Sequence, residues 1–122
     1  MDALTHETLT LTPGDDAEKK LLTVRWTGRS TARSPTQILR PYFTSLNDHA
    51  QQQGFAVEMD FTTLEHFNSS TISALIQYLQ DCRARKLALT LSYDSSVKWQ
   101  RLSFEALRVF VKPDGLLTLR AQ

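Results

Sequence analysis

Residues 57–79 read "VEMDFTTLEHFNSSTISALIQYL". In the first five, Val57, Met59 and Phe61 alternate with Glu58 and Asp60, a period of two that marks a strand covered on one face. From Asn68 onward the period changes. Ile72, Leu75, Ile76 and Leu79 recur at helical spacing, so a second helix runs from Asn68 to about Arg85. Where strand gives way to helix the chain places an Asn and then four hydroxyl residues, Ser69, Ser70, Thr71 and Ser73.

The same two periods organise the rest of the chain. Strands are expected around Leu9 and Leu11, over "LLTVRW" (21–26), over "FAVEMDF" (55–61), over "LALTLSY" (87–93) and over "LLTLR" (116–120). A first helix starts after Ser34 with Pro35 behind the cap and carries Ile38, Leu39, Tyr42, Phe43 and Leu46; Pro41 must kink it or delay its start. A third helix covers about Val97 to Val111, with Leu102, Ala106, Leu107 and Phe110 as its inward stripe, before a turn at "KPDG" (112–115). The expected order is β-β-α-β-α-β-α-β, an α/β fold and one domain over 1–122.

Helical crossovers make the second, third and fourth strands parallel. The alternation in each strand argues against a sheet buried on both faces, so the helices gather mainly on one face. The C-terminal ends of the parallel strands then share an edge formed by "GRSTARSP", "TTLEHFNSS" and "YDSSVK". Ligands and contacts concentrate at that edge in open α/β sheets.

Length and composition restrict the function classes. A chain of 122 residues, 41% hydrophobic, can build one core without metals or disulfides, and the single cysteine, Cys82, has no partner for an internal bridge. The reading is a soluble protein of a reducing, cytoplasmic compartment. A net charge of +1 gives no global footprint for nucleic acid, and no apolar run reaches the roughly 18 residues of a membrane span. Charge is nonetheless uneven, because residues 19–47 carry Lys19, Lys20, Arg25, Arg29, Arg33 and Arg40 and no carboxylate. That is either a solvated surface or one that meets an anionic group.

His6, His49 and His66 lack the spacing of a metal site, no Ser sits in a glycine-flanked nucleophile elbow, and no glycine-rich phosphate cradle is present. Trp26 belongs to the core set of its strand, Trp99 to the edge of the third helix. Asn68 is a strong N-cap, and Ser69, Ser70 and Thr71 occupy the first turn, where orphan N–H groups and the helix dipole favour negative charge. The hydroxyls are open to two readings: caps alone, or an acceptor for a phosphate worth about −1.5 to −2 charges.

The segment Val57 to Phe110 resembles the centre of a STAS domain, the fold of anti-sigma-factor antagonists and of the cytoplasmic tails of sulfate transporters. That family has an apolar strand ending in Asp, a short x-x-L/V-x-F/I segment, and Asp-Ser-x-Gly opening a helix. Here "MDF" ends the strand, "TTLEHF" follows, and Asn68-Ser69-Ser70-Thr71 opens the helix. Asn68 stands for the family's Asp and Thr71 for its Gly. With Gly28-Arg29-Ser30 before the first helix, the pattern is closer to the SiaC-like regulatory phosphoproteins.

The resemblance implies a non-catalytic partner switch with no cofactor and no metal. Ser69 matches the phosphorylated position. Asn68, Ser70, Thr71, Ser73, Arg29, Ser30 and Arg33 form the partner-binding edge. The implied partners are a serine kinase or anti-sigma-like regulator and a PP2C-type phosphatase, without nucleic acid or membrane insertion. Arg29 and Arg33 could instead receive the phosphate within the chain. The competing class is a constitutive STAS-like adaptor subunit of a transporter or other complex.

Overall fold

A computed structural model describes residues 1–122. Seven strands form one mixed sheet: β1 (Leu4–His6), β2 (Leu9–Asp16), β3 (Leu21–Ser30), β4 (Ala56–Asp60), β5 (Leu64–Phe67), β6 (Leu89–Tyr93) and β7 (Leu117–Ala121). The helices are α1 (Pro35–Gln53), α2 (Ser69–Ala84) and α3 (Lys98–Ala106), the last continued by a single 3-10 turn over Leu107–Phe110. The path across the sheet is β1-β2-β3-β4-β6-β7, with β5 also paired to β3. β1 and β2 run antiparallel to their neighbours; β3, β4, β5, β6 and β7 pair in parallel.

The parallel centre and the α/β class agree with the sequence reading. Two strands were not expected. β1 is three residues long, too short to show a period, and forms a hairpin with β2. β5 lies within the segment read as a loop, "TTLEHF".

The last third of β3 explains β5. β3 pairs with β4 through Leu21–Arg25 and with β5 through Gly28–Ser30, and the register shifts between Gly28 and Arg29. A bulge there turns the strand toward a new neighbour. Only glycine serves: its φ is +84°, and a Cβ would stand 1.7 Å from the Thr8 carbonyl oxygen.

One face of the sheet is apolar. Leu22, Val24 and Trp26 of β3, Val57 and Met59 of β4, Phe61 just beyond it, and Leu89, Leu91 and Tyr93 of β6 join one core with Leu39, Phe43 and Leu46 of α1 and Leu75, Tyr78 and Leu79 of α2. Each large side chain so buried contributes roughly 1.5–3 kcal/mol. The opposite face is polar, with Arg25 beside Asp60 at 3.7 Å and Arg120 paired with Glu58. The helices therefore do gather on one side.

α1 continues unbroken through Pro41 from Pro35, so this exposed proline neither delays the start nor ends the helix; what it removes is the donor for the Gln37 carbonyl one turn back. The stripe expected on α3 is corrected more sharply. Leu107 is buried and Phe110 half-buried as expected, but Leu102 is 58% exposed and Ala106 is exposed, while Gln100 and Phe104 point inward in their place. The reason is Gln100: its Nε2 donates to the carbonyls of Phe61 (2.7 Å) and Leu64 (3.1 Å), and its Oε1 accepts from the Asp94 amide (2.8 Å). Those bonds fix which side of α3 meets the sheet.

Candidate functional site

The loop after β3, β5 with the start of α2, and the loop after β6 meet at one sheet edge. Asn68 is the N-cap of α2 and the hub. Its Oδ1 accepts from the Thr71 amide (2.9 Å) and from the Thr71 hydroxyl (2.8 Å). Its Nδ2 donates to the Ala32 carbonyl (2.9 Å), and its own amide donates to the Ser30 carbonyl (3.1 Å). One side chain thus closes the helix start and ties it to the loop carrying Arg33.

The amide nitrogen accounts for the Asn. A carboxylate could accept from Thr71 but could not donate to Ala32, and would set two oxygens against each other. Thr71 is fully buried, and its hydroxyl, which donates to Asn68, accepts from the buried Ser30 hydroxyl at 2.7 Å. A glycine at 71 would leave Ser30 unpaired. The two departures from the STAS pattern therefore form one network.

These bonds divide the expected site residues. Ser30 and Thr71 were expected to meet a partner, but both are buried and bonded to each other, so they hold the edge from beneath. Ser73 is exposed, with its hydroxyl donating to the Ser69 carbonyl at 3.3 Å. Ser69 and Ser70 are exposed, and neither hydroxyl bonds to the protein. Arg29 and Arg33 are exposed and form no ion pair. β3–β5 pairing sets Arg29 opposite His66, and Ala32 on Asn68 brings Arg33 toward the first turn of α2.

Aromatic packing stiffens the same edge. Trp99, at the start of α3, meets Phe67 with ring centroids 5.0 Å apart and His66 at 6.0 Å. Beneath it Phe67 contacts Phe61 and Phe104. The loop after β6 is closed by Asp94, whose Oδ1 accepts from the Ser96 hydroxyl (2.6 Å) and amide (2.9 Å); those bonds hold its carboxyl below the usual carboxylate range.

Two polar residues that no motif singles out are central. Gln100 is the clamp described above. Asn47 of α1 is fully buried, accepts from the Tyr78 hydroxyl (2.9 Å) and donates to Asp81 (2.8 Å), with Cys82 beside it. Burial pushes the Cys82 thiol up to about 11 and the Tyr78 phenol well above its ordinary value. A cleft of about 350 Å³ between α1 and α2 is lined by Arg40, Phe43, Gln77, Tyr78 and Asp81 among others, and by none of the expected site residues.

With this geometry in view, the comparison of structures gives a protein from Shewanella loihica, described as an uncharacterized member of the DUF3478 family with a SpoIIAA-like fold. Alignment covers 100% of this chain and 90% of that one, at a TM-score of 0.55 and 14% identity. The fold is SpoIIAA-like. That is the STAS fold expected from the sequence, and at this identity the likeness speaks of fold alone. No protein-family profile matches the chain, and no curated protein sequence does. No helix is long and apolar enough to cross a membrane.

Proposed function

We propose that this chain is a non-catalytic regulatory phosphoprotein, a partner switch controlled at Ser69. In this reading it binds a signalling protein through the edge around the start of α2, and phosphorylation of Ser69 releases that partner. The observation that carries it is the contrast within the first turn: Asn68 and Thr71 complete the cap, leaving the exposed Ser69 hydroxyl with no structural duty. The SpoIIAA-like fold supports it as architecture.

A dianion at the helix start suits the local field, since the first N–H groups lack intrahelical partners and carry positive partial charge. It would leave the fold intact and change what can dock. A partner packed on that edge must desolvate the phosphate or be repelled, and each tenfold loss of affinity needs only about 1.4 kcal/mol. Arg29 and Arg33, free of ion pairs, are the cations within the chain suited to receive it. A serine kinase would write the mark and a PP2C-type phosphatase would remove it.

The adaptor reading has its own support. Thr71 and Ser73 spend their hydroxyls inside the chain, so part of the cluster is structural. Capture from the native cell lysate with wild type, Ser69→Ala and Ser69→Asp separates the two. The switch requires a signalling protein that wild type and Ala retain and Asp loses. Retention of the same complex by all three identifies an adaptor.

A further inference from the structure

We propose that the outward side of α3 and its 3-10 extension docks an amphipathic helix with acidic margins, supplied by a partner protein of the transient class. The proposal deepens the partner-binding role given above to the edge beside Ser69, and rests on it.

The apolar side chains come first. Leu102 and Val109 are 58% and 78% exposed and, apart from Met1, are the exposed large hydrophobics of the chain. At 100° per residue, Leu102 and Ala106 lie opposite the buried Gln100, Phe104 and Leu107. The 3-10 turn carries Val109 to the same side. Half-buried Trp99 begins the row. The spacing 99, 102, 106, 109 is the three-four repeat with which one helix packs along another.

Charge and position select the occupant. Lys98 and Arg101 flank the stripe with no carboxylate paired to them, and the one acid beside them, Glu105, is paired with Arg108. Glu105 is already engaged, bonded to the Tyr93 hydroxyl at 2.5 Å and to Arg108 at 2.8 and 3.1 Å. The margin presented to a visitor is therefore cationic. A second copy would bring the same cationic margin against itself, whereas a helix edged with Asp and Glu would complement it. Trp99 carries the stripe to Phe67, two residues before Ser69, so an occupant would reach the phosphate-accepting turn. Four side chains on one short helix cover less area than the roughly 1,200 Å² that separates stable from transient interfaces.

A synthetic helical peptide of about 16 residues, with Leu at the seam and Glu on both margins, is the probe, titrated into the isotopically labelled full chain and followed by amide chemical shifts. The expected result is saturable shifts over residues 98–110, affinity reduced roughly tenfold or more by Leu102→Asp and by Val109→Asp, and no binding of the same peptide with Lys margins. Both variants alter exposed positions, so retention of the wild-type amide spectrum elsewhere certifies the fold. Equal binding of the Lys peptide, or binding insensitive to both variants, overturns the proposal. So does a dimer in sedimentation, or capture by phosphatidylglycerol vesicles, that Leu102→Asp abolishes; either names a different occupant. Weaker binding to Ser69→Asp supports the link to the switch. Unchanged binding to it leaves the docking face standing and counts against Ser69 as its control.

Discussion

The two ends of α2 solve opposite problems with the same residue type. At the N-terminal end, Asn68 satisfies backbone groups, and the hydroxyls it does not need point into water. In the C-terminal half, Asn47 reaches across from α1 to Tyr78, Asp81 and Cys82, and the phenol and the thiol are drawn inward. The softest nucleophile in the chain is thereby closed to chemistry, its thiol pushed up to about 11, while two serines with ordinary hydroxyls stand open. Polar residues at one end leave two hydroxyls open to solvent; at the other they lock two helices.

The open end depends first on the support beneath it. Gly28 directs β3 to β5, and without that turn Ser30 cannot reach Thr71. Gly28→Ala combines a left-handed φ with a Cβ driven into the Thr8 carbonyl, and should cost about 4 kcal/mol or more or prevent folding. Urea denaturation measures it. A cost under about 1 kcal/mol would mean that the bulge relaxes and that the open end has no rigid base.

The closed end is next in size. Asn47→Ala strips partners from the buried Tyr78 hydroxyl and from Asp81, for an expected loss of about 2–4 kcal/mol. The same end should show an alkaline weakness. The Cys82 thiol sits near 11 when folded against an ordinary 9, and Tyr78 is raised as well. A folded pKa raised above the unfolded one contributes stability that is fully present below pH 9 and is lost as pH climbs toward about 11. Denaturation midpoints that stay flat from pH 8 to 10.5 would contradict the burial of this thiol.

At the open end, Asn68→Asp tests whether the amide is required. It keeps the acceptor for Thr71 but turns the donor facing Ala32 into an oxygen, so a loss of about 1–2 kcal/mol is expected, against near-neutrality if only the cap matters. Hydrogen exchange at Asn68 reads the difference directly, because its backbone amide, bonded to the Ser30 carbonyl beside the lost contact, should lose protection even where the rest of the helix does not.

Local chemistry decided what was legible. Asn68 as a cap follows from sequence because capping is settled within four residues, and strand alternation exposed the sheet with its one covered face. Thr71 could not be separated from Ser69 and Ser70, since its burial depends on Ser30, 41 residues away. The inward side of α3 was misjudged for a related reason. Leu102 and Ala106 read as core by hydropathy, yet a glutamine with three backbone partners outweighs them, and those partners lie on other elements. β5 was hidden because its pairing follows from a bulge on β3, which no pattern in "TTLEHF" records.

The smallest expected effect discriminates best. Ser69→Ala removes an exposed hydroxyl that bonds to nothing in the chain, so its cost should fall within about 0.5 kcal/mol, as for surface substitutions away from special features. Thr71→Val, two residues on, takes a buried hydroxyl from both Ser30 and Asn68 and should cost about 1–3 kcal/mol with almost no change of shape. Measured side by side in urea, the pair asks whether the cluster is divided in its duties. Equal costs would make Ser69 another cap and remove the physical ground for a switch there. A near-zero cost at Ser69 beside a real one at Thr71 leaves a hydroxyl that stability does not explain, which is what a modification site must be.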